Sequence, residues 1–125
     1  MSITIKSRKA KARRLQNWVA QQVSDILDIP WGKDELIQGR EMGQQGVDLK
    51  LYGKAKEFFP YSVECKSVEK YSIHKWMEQA ENNLLENTNW LLFCKRNKEQ
   101  PIVILDAKVF FDLLRKVIDN AKINN

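Results

Sequence analysis

A chain of 125 residues, 43% of them hydrophobic, carries enough apolar surface for one compact domain, read as spanning 1–125, and leaves no room for a second core. Its longest apolar runs, such as Trp90–Cys94, fall far short of the roughly 20 residues a membrane span needs, and no signal-type apolar stretch follows the N-terminus, so a cytoplasmic protein without a membrane partner is expected. One histidine and two cysteines, Cys65 and Cys94, both inside apolar segments, exclude a Cys/His zinc site and read as free buried thiols, while a net charge of +5 directs attention to polyanionic partners.

That charge is uneven. Lys6, Arg8, Lys9, Lys11, Arg13 and Arg14 crowd the N-terminus, and no acid occurs before Asp25. Cations at a helix start oppose the macrodipole at a cost of about a few tenths of a kcal/mol each, so something other than helix stability favours them there. This basic arm, about residues 1–14, is read as a nucleic-acid contact. Leu15, Trp18, Val19, Val23, Ile26 and Leu27 recur at helical spacing and predict a helix over about 9–28, stopped by Ile29-Pro30-Trp31-Gly32. A short extended piece at 35–38 and a polar loop at 39–46 with three glycines come next.

From Val47 to Tyr52 the side chains alternate, with Val47, Leu49 and Leu51 on one face and Asp48, Lys50 and Tyr52 on the other, which predicts a half-buried strand. A turn region over 53–60 leads to a second strand, Tyr61–Ser67, where Val63 and Cys65 face one way and Glu64 and Lys66 the other. Ser72 is placed to cap a helix through about Glu86 with Ile73, Trp76, Met77, Ala80 and Leu84 as its stripe. His74 falls on its surface. Two more strands, 90–94 and 102–105, flank a polar turn, and Asp106 is placed to cap a last helix whose stripe is Phe110, Leu113, Leu114 and Val117, frayed after Ala121. The order is helix, three strands, helix, two strands, helix: an α/β chain whose economical architecture is one sheet with helices on its faces.

Glu64 and Lys66 sit mid-strand on one face, and Asp48 shares that face if its strand pairs with theirs as a hairpin. Clustered carboxylates repel and are costly to bury without a partner. A divalent cation supplies the partner: Asp48 and Glu64 offer the hard oxygen ligands that Mg²⁺ prefers, with phosphate and water completing its shell.

Gly46-Val47-Asp48, then Phe59-Pro60-Tyr61-Ser62-Val63-Glu64-Cys65-Lys66, then Trp76-Met77-Glu78-Gln79-Ala80 resemble the motifs of the PD-(D/E)XK nuclease superfamily. Within it, the chain is similar to small phage-type endonucleases and Holliday-junction-resolvase-like members, whose first helix Arg13-Arg14-Leu15-Gln16-Asn17-Trp18-Val19 resembles. The resemblance implies a restriction-endonuclease-like core, a central mixed β-sheet flanked by helices in the order α-β-β-β-α-β. It implies Asp48, Glu64 and the backbone carbonyl of Cys65 as ligands of Mg²⁺, with Mn²⁺ as a substitute, and Lys66 as the active-site lysine that orients the attacking water. Gln79 matches a glutamine bordering the site, and Gln16 stands where many members carry a glutamate; Glu41 in the loop is a lesser source of a third carboxylate. The implied activity is DNA phosphodiester hydrolysis, on branched or recombining DNA or as a homing-type enzyme. The implied assembly is a homodimer, in the host cytoplasm if phage-encoded, and the alternative is a nuclease-like fold that binds DNA without cutting it.

Overall fold

Thr4 accepts a hydrogen bond from the Ser7 amide at 3.1 Å and opens helix α1 (Ile5–Leu27) in the computed structural model of the chain, which describes residues 4–41 and 44–124. The helix begins four residues before the periodicity predicts, so from Ile5 onward the basic segment is part of α1; residues 1–3 lie outside the described residues. It ends where Asp28 turns left-handed at φ 55° and donates its N–H to the Ser24 carbonyl.

Strands β1 (Ile37–Gly39) and β2 (Leu49–Leu51) pair antiparallel, with Gly39 opposite Leu49. The six-residue helix α2 (Gly53–Phe58) follows, where only a turn was expected. Then come β3 (Tyr61–Ser67), α3 (Ile73–Asn82), β4 (Asn89–Lys95), β5 (Ile102–Ile104) and α4 (Ala107–Ile123). Asp106 caps α4 as predicted, accepting from the Lys108 amide at 3.1 Å, whereas Ser72 makes no side-chain cap for α3. Helix α3 stops four residues short of Glu86, and α4 continues past Ala121.

Among the described residues the strands form two sheets, β1-β2 and a mixed β3-β4-β5 in which β3 runs parallel to β4 and β4 antiparallel to β5. The hairpin expected between the second and third strands does not form. β2 gives its ladder to β1, and α2 fills the connection to β3. Among the described residues the sheets meet at Asp48, whose amide donates to the Val63 carbonyl at 2.8 Å and whose carboxylate accepts from the Cys65 amide.

Side-chain alternation along β3 and β4 builds two cores on opposite faces. Val63 and Cys65 pack with Leu15, Val19 and Val23 of α1, while Leu92 and Cys94 pack with Trp76 and Ala80 of α3. Glu64 lies opposite Leu92 in the register, so its side chain points to the α3 layer. The result is α/β with a mixed sheet held between helices.

Two predicted stripes turn out to be only partly covered. On α1, Trp18 and Ile26 are 45% and 76% exposed. On α4 only Val109 is buried, while Phe110, Leu114 and Val117 face outward and Leu113 is half-buried. The physical reason on α4 is length: β5 has three residues and cannot roof a helix of 17. Leu92→Ala, at a fully buried position, should therefore lower unfolding free energy by about 2–5 kcal/mol in a denaturant titration. Val117→Ala, on the uncovered face, should stay within about 0.5 kcal/mol of the parent.

Candidate functional site

The site grows from the junction of the two sheets. Arg40 lies directly opposite Asp48 where the β1-β2 register continues, and its amide donates to the Asp48 carbonyl at 2.9 Å. Cross-strand neighbours of opposite charge meet at this spacing. Nη2 of Arg40 accordingly reaches Oδ1 of Asp48 at 2.9 Å, and a second guanidinium nitrogen donates to the Gln44 carbonyl. Oδ2 of Asp48 accepts from the Cys65 amide at 2.6 Å. Gly46 just upstream, at φ +106°, takes a backbone conformation that side chains disfavour and lets the loop re-enter β2. Gly43 of the same loop lies outside the described residues.

Val63's carbonyl and Cys65's amide both point at Asp48, so this edge of β3 faces it, and strand geometry puts the Cys65 carbonyl on the same edge. Glu64 and Lys66 occupy the α3 face and share a cleft of about 340 Å³ with Gln79 and Asn83 of the α3 end and with Arg40. Asp48 and Cys65 line an adjoining cleft of about 230 Å³ with Gln16, Lys9 and Arg13 of α1, and Arg40 borders both. Gln16 is held there by its amide, which donates to the Arg40 carbonyl at 3.3 Å. Gly39 makes room for it: a methyl group at that position would come within 2.5 Å of Nε2 of Gln16.

The residues singled out in the sequence therefore fall into two neighbouring groups, Glu64, Lys66 and Gln79 in one cleft and Asp48, Cys65 and Gln16 in the next. Lys6 is exposed on the first turn of α1 and lines neither cleft, and Glu41 lies at the rim of the Asp48 cleft. Arg8, Lys11 and Arg14 face the opposite flank of α1. Arg40 is the residue that sequence reasoning missed. Its signal is the antiparallel register that sets it against Asp48, which requires knowing that β1 pairs with β2. His74 is exposed as expected, and Trp76 is a core residue in edge-to-face contact with Tyr71 at 5.5 Å.

Electrostatically the site is short of compensation. Burial pushes the Asp48 carboxyl above its ordinary 3.8, against the Cys65 amide, Arg40 and Lys66, which all lower it. Burial, and next the Asp48 charge, push Glu64 above 4.5, opposed by Lys66, the Asn83 amide and Arg40. Oε2 of Glu64 is buried without a hydrogen-bond partner, and so is Oε1 of Gln79. Burial also raises the Cys65 thiol strongly and takes Cys94 to about 11, so both remain inert protonated thiols, unpaired as anticipated.

Two carboxylates and a strand-edge carbonyl suit a hard divalent cation that keeps several waters, and an orphaned Glu64 oxygen is the atom such a cation would satisfy. Among the described residues, no group of three or more His, Cys, Asp or Glu side chains gathers to hold a metal without help from the main chain, water or substrate. No described helix is long and apolar enough to cross a membrane. No protein-family model, curated protein or solved structure matches the chain.

The raised carboxyls set a pH response for the metal-free protein. Folded Glu64 holds its proton to higher pH than unfolded Glu64, so stability fully present below the ordinary 4.5 is lost as pH rises from there through the raised folded value. Glu64→Gln should therefore stabilise the metal-free protein by about 1 kcal/mol at neutral pH. The gain should shrink on acidification through the ordinary carboxylate range, as read from thermal midpoints of both proteins in a chelator.

Proposed function

We propose that the chain is a Mg²⁺-dependent DNA endonuclease of the PD-(D/E)XK type, built on a restriction-endonuclease-like core formed by α1, β1, β2, β3, α3 and β4. The observation that carries the reading is the buried Glu64 carboxylate beside Asp48, one of its oxygens without a partner, with Lys66 on the same strand face. An undercompensated pair of carboxylates with a lysine alongside is expensive as scaffolding and useful for handling phosphate. Helices on both faces of a mixed sheet, in the chain order of that core, support the same reading.

Asp48, Glu64 and the Cys65 carbonyl would hold the cation, which when bound supplies charge stabilisation on the phosphate and a lowered pKa for water. The chain's own residues do the rest. Lys66, beside both carboxylates, directs its ammonium into the cleft, where it orients water and offsets charge developing on the phosphate. Gln79, with a buried amide oxygen still free to accept, positions water. Gln16 borders the Asp48 cleft, where its amide is already engaged by the Arg40 carbonyl. Lys9 and Arg13 face the same cleft and bind the backbone phosphates that run past it.

A second reading is favoured by one specific contact. Arg40 already neutralises Asp48 at 2.9 Å, as it would in a nuclease-like fold that binds DNA and does not cut it. Lys66→Ala separates the two: it should reduce Mg²⁺-dependent nicking of supercoiled DNA by at least about 100-fold while leaving DNA affinity within a few-fold. A parent protein that binds DNA and never nicks it selects the second reading.

Cutting both strands of a duplex calls for two such sites, and α4 offers a surface for a second copy. Phe110, Phe111, Leu114, Val117 and Ile118 are all exposed and recur at heptad-like spacing along its outer face. Two half-exposed phenylalanines leave roughly 200 Å² per copy and the aliphatic residues extend it, so two copies packed here bury on the order of 1,000 Å², the lower range for a specific interface. Leu114→Glu should convert the dimer to a monomer in light scattering at micromolar protein; a parent that is already monomeric there rejects this interface.

A further inference from the structure

The clefts that hold the carboxylates are not the only ones with basic walls. A groove of about 520 Å³ lies on the opposite flank of α1, between its Lys11, Arg14 and Trp18 and the β4-β5 turn with Lys95, Asn97 and Lys98. Four cations from two separate elements converge on it, and Glu99, the acid at its edge, is occupied by a two-pronged ion pair with Arg96 at 2.6 and 3.0 Å. The turn is held in place where the Asn97 amide donates to Glu69 at 2.9 Å. Trp76 and Trp90 are buried and Trp31 is half-buried, but Trp18 leaves 45% of its surface in the open, lining this groove. A smaller cleft lined by Arg8, Lys11, Ser67 and Lys70 shares Lys11 and Ser67 with the groove and extends its basic wall along the end of β3.

A flat exposed indole among cations, with amide side chains beside it, is the combination that receives an unpaired nucleotide strand. The ring stacks on a base of any identity, and the cations follow the phosphates. A duplex presents no free base face to such a ring. The groove also has a fixed relation to the proposed catalytic residues: Ser67 in its wall directly follows Lys66 on β3, and alternation turns the two side chains to opposite faces of the strand. A strand passing over the end of β3 runs from one cleft to the other.

We infer that this groove binds single-stranded DNA and that the protein acts where duplex and unpaired strand meet. The duplex lies against the Lys9 and Arg13 flank of α1, and the unpaired strand stacks on Trp18. This inference rests on the nuclease reading for the chemistry at Lys66, but not for the binding at Trp18.

The test is fluorescence anisotropy in a chelator, with the full chain and two labelled probes, an oligothymidylate of about eight nucleotides and a blunt duplex. Trp18→Ala should lower the ratio of single-strand to duplex affinity about tenfold, and Trp18→Tyr should recover most of it because a stacking ring returns. Lys95→Gln combined with Lys98→Gln should flatten the salt dependence of single-strand binding by about 1.4 in the slope of log K against log salt. An unchanged affinity ratio in Trp18→Ala, or a salt slope that the lysine pair does not alter, overturns the groove assignment. Because Trp18 is 45% exposed, its variants should keep a thermal midpoint near the parent's, and the lysine pair tests the groove without touching α1. Failure of the nuclease reading looks different: the parent fails to nick with Mg²⁺ while Trp18 still discriminates between the probes.

Discussion

Asp48 is the clasp on which the architecture and the site both depend. Its amide binds Val63, its carbonyl binds Arg40, one carboxylate oxygen binds the Cys65 amide, and the other pairs with Arg40. Every polar atom of the residue is committed, and two of those bonds are what fasten the small β1-β2 sheet to β3. Because the residue is 4% exposed, a charged group is held at a structural joint where an amide or an apolar residue would be easier to bury. Retaining a carboxylate there makes sense if its charge is used, and the joint keeps it at a fixed position relative to Glu64 and Lys66.

The same joint sets the electrostatic balance. Arg40 and Lys66 both favour ionised Asp48 and Glu64, yet burial outweighs them and both carboxyls end above their ordinary values. Each carboxylate oxygen of Asp48 has a partner, whereas Glu64 keeps a buried oxygen with none. That asymmetry divides the labour: Asp48 is anchored, and Glu64 is the carboxylate left open to something that arrives with positive charge. Arg40, bordering both clefts, compensates Oδ1 of Asp48 and leaves the open oxygen of Glu64 without a direct partner.

Much of this was legible in the residues and some was not. Alternation placed β3 to the residue, and the Glu64/Lys66 face with it, because polar Ser62, Glu64 and Lys66 alternate with apolar Val63 and Cys65 although both faces are buried mid-strand. Two apolar faces would have left a continuous run with no period. The apolar period of α3 likewise located the helix that carries Gln79. Periodicity could not say whether a helix face would be roofed: Trp18 and the outer face of α4 carry the right spacing, but no layer covers them. The short helix α2 was invisible because Gly53-Lys54-Ala55-Lys56-Glu57-Phe58 is too brief for a repeat and opens on a turn residue. Arg40 was invisible for a different reason: its role exists only through a cross-strand pairing between segments separated by a long loop. The hairpin expected between Asp48 and Glu64 was wrong in topology, yet the two carboxyls still influence one another, because one main-chain bond between the sheets brings them close enough.

On this account the carboxylates of Asp48 and Glu64 share a divalent cation, and the most direct measurement is a Mn²⁺ titration followed by electron paramagnetic resonance on the DNA-free protein. The parent should bind Mn²⁺, Glu64→Gln should weaken that binding by more than about tenfold, and Glu41→Gln, at the rim, should leave it near the parent value. A parent that binds no Mn²⁺, or a Glu64→Gln protein that binds it as tightly as the parent, contradicts the account.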